Sequence, residues 1–229
     1  MHKVIFWDFH GTLIEDPIGW SGTFALLIDA LQPELGMTKS RIAAELRTAY
    51  PWDVAHKPHR HTPDSWWQEV TAELEAGALR AGVRPEVAAT AAGKMRTEIV
   101  DPSRMVVFPD TRPALELVRA RGWRNVILSN HVPELPEMVE RLGLADLVDR
   151  VFTSAAMGYE KPHVAIFRAA LKELGGVDQA WMVGDNPLAD IAGAQQAGLP
   201  AILVRRKERE HCLCSEGLVG AAELILGRG

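Results

Sequence analysis

Lys3-Val4-Ile5-Phe6-Trp7-Asp8-Phe9-His10-Gly11-Thr12-Leu13-Ile14 is the stretch whose reading decides the fold. Lys3 to Trp7 is a short apolar run rich in β-branched and aromatic residues. Such a run marks a strand buried on both faces of a parallel sheet. Asp8 stands at its carboxyl end, followed by Gly11 and Thr12. Open α/β sheets bind ligands just outside the carboxyl ends of their strands, so this carboxylate sits where chemistry would occur. Three more apolar runs deliver polar groups of other kinds. Ser129 and Asn130 follow 125–128, Lys161 follows 150–153, and Gly184-Asp185 with Asp190 follows 180–183. Four strand ends, each with its own chemistry, describe one site.

Between these runs the pattern alternates with helices. Beyond residue 105 it predicts strands at 105–108, 125–128, 150–153, 180–183 and 201–204, the last clear strand. Helices are predicted at 111–121 (capped by Asp110 or Thr111), 134–142, 162–174 (opened by Pro162) and 188–197. Strands alternating with helices predict a parallel sheet covered on both faces. Between residues 15 and 104 the reading is all-helical. Helices are expected at 22–31 with Ser21 as cap, at 38–50 stopped by Pro51, at 65–81 with Asp64 as cap, and at 85–100 opened by Pro85.

Composition bounds the function. The 229 residues suit one large domain or two small ones, and 47% apolar with 24% charged residues is ordinary for a globular chain. A net charge of −5 argues against a general nucleic-acid binder. The two cysteines, Cys212 and Cys214, lie too close together to build a disulfide framework, which fits a reducing compartment. No apolar stretch approaches the length of a membrane span, and the apolar start is too short for a secretory signal. A cytoplasmic protein is expected.

With Asp8-x-x-Gly11-Thr12, then Ser129, Lys161, and Gly184-Asp185 followed by Asp190, the chain resembles the haloacid dehalogenase superfamily. Most members are magnesium-dependent phosphatases. The resemblance implies a Rossmann-like three-layer core over 1–14 and 105–229, and a helical cap inserted after the first strand over 15–104. It implies a small phosphorylated metabolite as substrate, with Asp8 attacking phosphorus to form an aspartyl-phosphate. Mg²⁺ would be held by Asp8, Asp185 and the backbone carbonyl of His10, which does not depend on the side chain. Ser129 and Lys161 would stabilise the transferring group. Gly11, Thr12 and Asn130 would line the phosphate, and Asp190 would orient Lys161 or a metal-bound water.

His10 departs from the pattern, because the phosphatases carry Asp there as general acid and base. Imidazole can do both, with a reference pKa of about 6.5 against about 3.9 for Asp. Beside a phosphoryl dianion its protonated form should be favoured. That helps the first step and slows the second, so a working but unhurried phosphatase is expected. The alternatives are a protein that binds phosphorylated ligands with little turnover, or a metal-independent 2-haloacid dehalogenase. Dehalogenases have Tyr at this position, and phosphonoacetaldehyde hydrolases have Ala; His10 matches neither.

The insert carries Trp20, Trp52, Trp66, Trp67, His56, His59 and His61. Of the adjacent tryptophans, one ring is expected in the insert's core and one toward cleft or solvent, unless both are structural. The three histidines read as a solvated loop rather than a metal site. Cys212 and Cys214 with His211 read as free thiols at a surface turn, and 205–210 as a solvated charge run, with contact to an anionic substrate as the alternative.

Overall fold

The computed structural model describes residues 2–46, 62–206 and 212–228. Trp52, His56, His59, His61, residues 207–210 and His211 lie outside the described residues.

The chain begins with β1 (Lys3–Trp7), then a tight turn in which the Phe9 carbonyl accepts from the amides of Thr12, Leu13 and Ile14. β2 (Ile14–Glu15) follows, extending one residue into what reads as a polar break. Four helices come next: α1 (Gly19–Leu31), α2 (Lys39–Leu46), α3 (Pro63–Arg80) and α4 (Pro85–Ile99). β3 (Val106–Val107) pairs antiparallel with β2. Then come α5 (Thr111–Arg119), β4 (Trp123–Ser129), α6 (Leu135–Arg141), β5 (Arg150–Thr153), α7 (Ser154–Met157), α8 (Val164–Leu174) and β6 (Gln179–Gly184). A π-helical turn at Pro187–Ala192 leads into α9 (Gly193–Gln196), followed by β7 (Ala201–Val204), β8 (Leu213–Ser215) and α10 (Leu218–Leu226).

The chain divides into two compact units. Among the described residues, one holds residues 2–16 and everything from Met105 on, and the other holds 17–46 and 62–104. In the first, six strands form one parallel sheet in the order β5-β4-β1-β6-β7-β8. Counted along the chain, that is the 3-2-1-4-5-6 order of a Rossmann-like sheet. β1 lies at the centre, and Val4 to Trp7 are fully buried, which is why its sequence is unbroken apolar rather than alternating. Val4, Phe6, Val126, Leu128, Met182 and Leu203 pack on one face against Ile166 and Phe167 of α8 and Ala194 of α9. On α5 and α10, which pack together, the buried residues include Leu115, Val118, Ala221 and Ile225. Asn125, a polar residue within β4, is fully buried and satisfied: it accepts from Trp7 Nε1 at 2.9 Å and donates to the carbonyls of Leu115 and Leu147.

Several local expectations are corrected. Residue 21 does not cap α1, which starts at Gly19 with Ile18 before it. Asp64 does not cap α3 either. Thr62 does, accepting from the Ser65 amide while Ser65 Oγ accepts from the Thr62 amide, and Pro63 takes the first position. Asp110 precedes α5 but gives it no side-chain cap, because its carboxylate bonds Arg205 and the Leu218 amide. Pro162 does not open α8; His163 does, its Nδ1 accepting from the Ala165 amide. Cys214 lies on the edge strand β8, opposite Leu203, rather than at a surface turn, and its Sγ is 2.9 Å from that of Cys212.

In the helical unit both Trp66 and Trp67 are buried, so neither ring faces solvent. Trp67 stacks on Trp20 at 5.9 Å and meets Trp66 edge-on at 5.0 Å. Arg41 crosses from α2 to donate to the Ala81 carbonyl that ends α3.

Candidate active site

The sheet register brings the strand ends together. Trp7 lies opposite Ile127 on one side and Val183 on the other, and the Asp8 amide extends the second ladder by donating to the Val183 carbonyl at 2.9 Å. Asp8 therefore emerges beside Ser129 at the end of β4 and Asp185 just beyond β6. This is where the chain order of the strands reverses, the location at which such sheets open a crevice.

Asp8 is the hub. Its Oδ1 accepts from Ser129 Oγ at 2.9 Å and from Lys161 Nζ at 2.8 Å, while its Oδ2 is met by Thr12 Oγ1 at 3.5 Å. Lys161 is buried, and its Nζ also lies 2.5 Å from Asp190 Oδ1. The other oxygen of Asp190 accepts from the Asn186 amide. Both oxygens of Asp190 thus face donors, an arrangement that matches the ionised form. Burial nevertheless pushes the Asp190 carboxyl up to about 7, with the Lys161 ammonium opposing the rise and the Asp8 charge adding to it. For Lys161, burial works against the charge, but the carboxylates of Asp190 and Asp8 outweigh it and the ammonium is held above its usual range.

Asp190 reaches Lys161 through local geometry. Asn186 Oδ1 accepts from the amides of Leu188 and Ala189, and Pro187 stands at the first position, so the helix begins as a π turn rather than at residue 188. π turns are rare and recur at functional sites. Gly184 is required beneath it, since a Cβ there would lie 2.2 Å from Asp190 Oδ2. Gly11, at φ +76°, plays the matching part across the site: a Cβ would lie 2.8 Å from the Asp185 carboxylate carbon.

Asn130, expected at the phosphate, spends its side chain on Lys161. Its Oδ1 accepts from the Lys161 amide and its Nδ2 donates to the Lys161 carbonyl, each at 2.8 Å. His10 Nε2 is buried without a hydrogen-bond partner among the described residues. Burial holds its imidazole below the usual range, outweighing the charges of Asp16, Asp8 and Asp185. The residues themselves thus favour neutral imidazole, opposite to the bias expected from a phosphoryl dianion.

Two residues beside the site escape the sequence reading. His131 packs its ring 4.9 Å from that of His10, its Nδ1 is likewise without a partner, and burial followed by the His10 charge holds its pKa well below the usual value. Its position directly after Ser129-Asn130 was the available signal. Arg206, inside the charge run read as solvated, binds Asp185 through Oδ2 at 2.6 Å and through the backbone carbonyl at 3.1 Å.

Asp8, Asp185 and Asp190 each present a carboxylate oxygen within 4.8 Å of the others. The donors are oxygens, anionic and partly buried, the set that a hard dication prefers. Lys161 and Ser129 occupy Oδ1 of Asp8 and leave Oδ2 with only the distant Thr12 contact. The residues fit Mg²⁺.

A Rossmann-like sheet with a carboxylate at its first strand end, a buried lysine between two carboxylates and a further Asp across the switch point defines a class of hydrolase built on strand ends. The comparisons place the chain within that class. Residues 2–198 match the sequence model of the haloacid dehalogenase-like hydrolases, and the chain belongs to that family. It is 31% identical to a phosphoserine phosphatase of Thermus thermophilus over 89% of each chain. It is 37% identical to a glyceraldehyde 3-phosphate phosphatase of Methanothermobacter thermautotrophicus over 45% of this chain, a match spanning about half, 49%, of that relative's length. The crystal structure of a 2-haloacid dehalogenase from Pseudomonas syringae pv. Tomato shares the fold, with a TM-score of 0.71, complete coverage of both chains and 24% identity.

Proposed function

We propose that this chain is a Mg²⁺-dependent phosphohydrolase acting on a small phosphorylated metabolite, with Asp8 as the nucleophile. The observation that carries the reading is the Lys161 ammonium, buried between Asp8 Oδ1 at 2.8 Å and Asp190 Oδ1 at 2.5 Å, beside a third carboxylate. An anionic attacker and a phosphate ester repel each other, and a fixed buried cation offsets that repulsion where it arises. Phosphatase relatives at 31% and 37% identity support the same reading.

Asp8, Asp185 and the His10 carbonyl would hold the Mg²⁺. When bound, it supplies charge neutralisation for the carboxylate and a phosphoryl oxygen. A carboxylate oxygen of Asp8 attacks phosphorus, the bond from phosphorus to the ester oxygen breaks, and the alcohol leaves. Lys161 and the Ser129 hydroxyl neutralise charge on the transferring group. Asp190 fixes the Lys161 ammonium and Asn130 fixes its backbone. His10 gives a proton to the leaving alcohol and later takes one from the water that releases phosphate from Asp8. Its buried environment suits the second task better than the first. The helical insertion over 15–104 would serve as a cap, a part whose task is to exclude water and read the leaving group.

The test is hydrolysis of p-nitrophenyl phosphate with Mg²⁺ and with a chelator. Release of p-nitrophenol that requires Mg²⁺ is expected. Binding of phosphate without turnover would make the chain a phospho-ligand binder. Halide release from 2-chloropropionate in the presence of chelator would make it a dehalogenase.

A further inference from the structure

Arg206 belongs to a turn built at some conformational cost. β7 ends at Val204, and Arg205 takes φ +58°, the one positive φ outside glycine among the described residues. Three anchors hold Arg205 there: its Nε donates to the Thr12 carbonyl at 2.9 Å, a terminal nitrogen meets Asp110 Oδ1 at 2.6 Å, and the guanidinium lies 3.7 Å from the centre of the Phe108 ring. The reversal carries the next side chain, Arg206, back over the carboxyl end of β6. There it grips Asp185 at two points, Oδ2 and the backbone carbonyl. A non-glycine residue held in a sparsely populated conformation directs attention to what that conformation delivers.

We infer that Arg206 competes with a divalent cation for Asp185: its two-point grip on that residue must open for the carboxylate to take up an ion. The inference rests on the reading of Asp185 as a metal ligand.

The two partners are unequal. The Asp185 side chain is 14% exposed and that of Arg206 54%. The carboxylate is also backed by Gly11, where no side chain intervenes, so it exchanges partners in place. The arginine is the partner that water can accommodate. Charge points the same way. Counted as carboxylates, Asp8, Asp185 and Asp190 set three formal negative charges against Lys161 and Arg206, leaving an excess of one. With Arg206 withdrawn the excess is two, which a dication balances. A guanidinium is a good placeholder, since it satisfies a carboxylate and a carbonyl together and never deprotonates. The contact with the Asp185 carbonyl also ties the turn after β7 to the loop after β6.

The experiment is a Mn²⁺ titration of the full chain, following the paramagnetic resonance signal of free Mn²⁺, together with thermal denaturation of the metal-free protein. Arg206→Met keeps the aliphatic stem and removes the charge. It is expected to tighten Mn²⁺ binding by about twofold to fivefold, the upper part of what a half-exposed ion pair can contribute, and to lower the melting temperature of the metal-free form. Arg206→Lys keeps the charge but not the two-point grip and should fall between. Unchanged or weaker Mn²⁺ binding in Arg206→Met overturns the inference. Asp185→Asn serves as the control: it should weaken Mn²⁺ binding at least tenfold with or without Arg206. If it does not, the metal reading fails, and the inference fails with it.

Discussion

His10 stands two residues after Asp8, where its surroundings bias the charge of its ring. Burial outweighs three nearby carboxylates and favours the neutral ring. A neutral imidazole is a ready base and a poor acid, so protonation of the leaving group should limit turnover. His10→Asp is expected to raise turnover on an alkyl phosphate such as phosphoserine, whose leaving oxygen needs a proton, more than on p-nitrophenyl phosphate, whose phenolate does not, and to shift the pH profile; no change on either substrate would mean that His10 has no part in the reaction. The other site residues show what sequence can reveal. Asp8, Ser129 and Asp185 were legible because each follows an apolar strand, and strand ends share one edge of a parallel sheet. Lys161 and Asp190 lie further from their strands, eight and six residues beyond the ends of β5 and β6, so the apolar runs located them only coarsely. His131 and Arg206 were not legible, because their partners are fixed by contacts distant in the chain. Arg206 sits among charges that look solvated, and only the backbone reversal at Arg205 turns it inward.

Among the elements, the sheet strands β1, β4, β5, β6 and β7 were readable from apolar runs, and their ends move by two residues or fewer. β8 was not, since Leu213-Cys214-Ser215 is too short to show alternation and pairs along one side only. Helix starts were the least legible feature, because capping depends on which side chain reaches a free amide. Thr62 and Asp64 are both good capping residue types, and the structure uses Thr62. Thr62→Ala removes half of a reciprocal pair and should lower stability by about 1 kcal/mol in urea denaturation, whereas Asp64→Ala should not reproduce a capping loss. Equal losses for the two would contradict the assignment. The π turn could not have been foreseen from periodicity. It follows from Asn186 capping two successive amides and from Asp190 turning inward to Lys161.

For the molecule as a whole, the buried imidazoles predict how stability follows pH. His10 and His131 have folded pKa values below their unfolded value of about 6.5. Below that pH the unfolded chain binds protons that the fold refuses. Stability is therefore fully present above about pH 6.5 and falls as pH drops from there toward the folded values, by up to about 1.4 kcal/mol per pH unit for each group. Asp110, with its folded pKa lowered, adds a further loss at more acid pH, below about 3.8. The raised carboxyls of Asp190 and Asp185 act the other way, adding stability as pH falls from about 7, so the imidazole contribution is read as a difference: in urea denaturation between pH 7.5 and 5.5, His131→Phe should change the slope of stability with pH toward greater stability at the acid end, and an unaltered slope would mean that His131 is not held neutral.

The central claim is that a carboxylate shielded by a buried ammonium and a dication attacks phosphorus. Its most direct measurement is the mass of the peptide containing Asp8 after acid quenching during turnover of p-nitrophenyl phosphate with Mg²⁺. The account predicts one added phosphoryl group on Asp8, absent with chelator and absent in Asp8→Asn, whose turnover should fall by about 10⁴-fold or more. Turnover that persists in Asp8→Asn would contradict it.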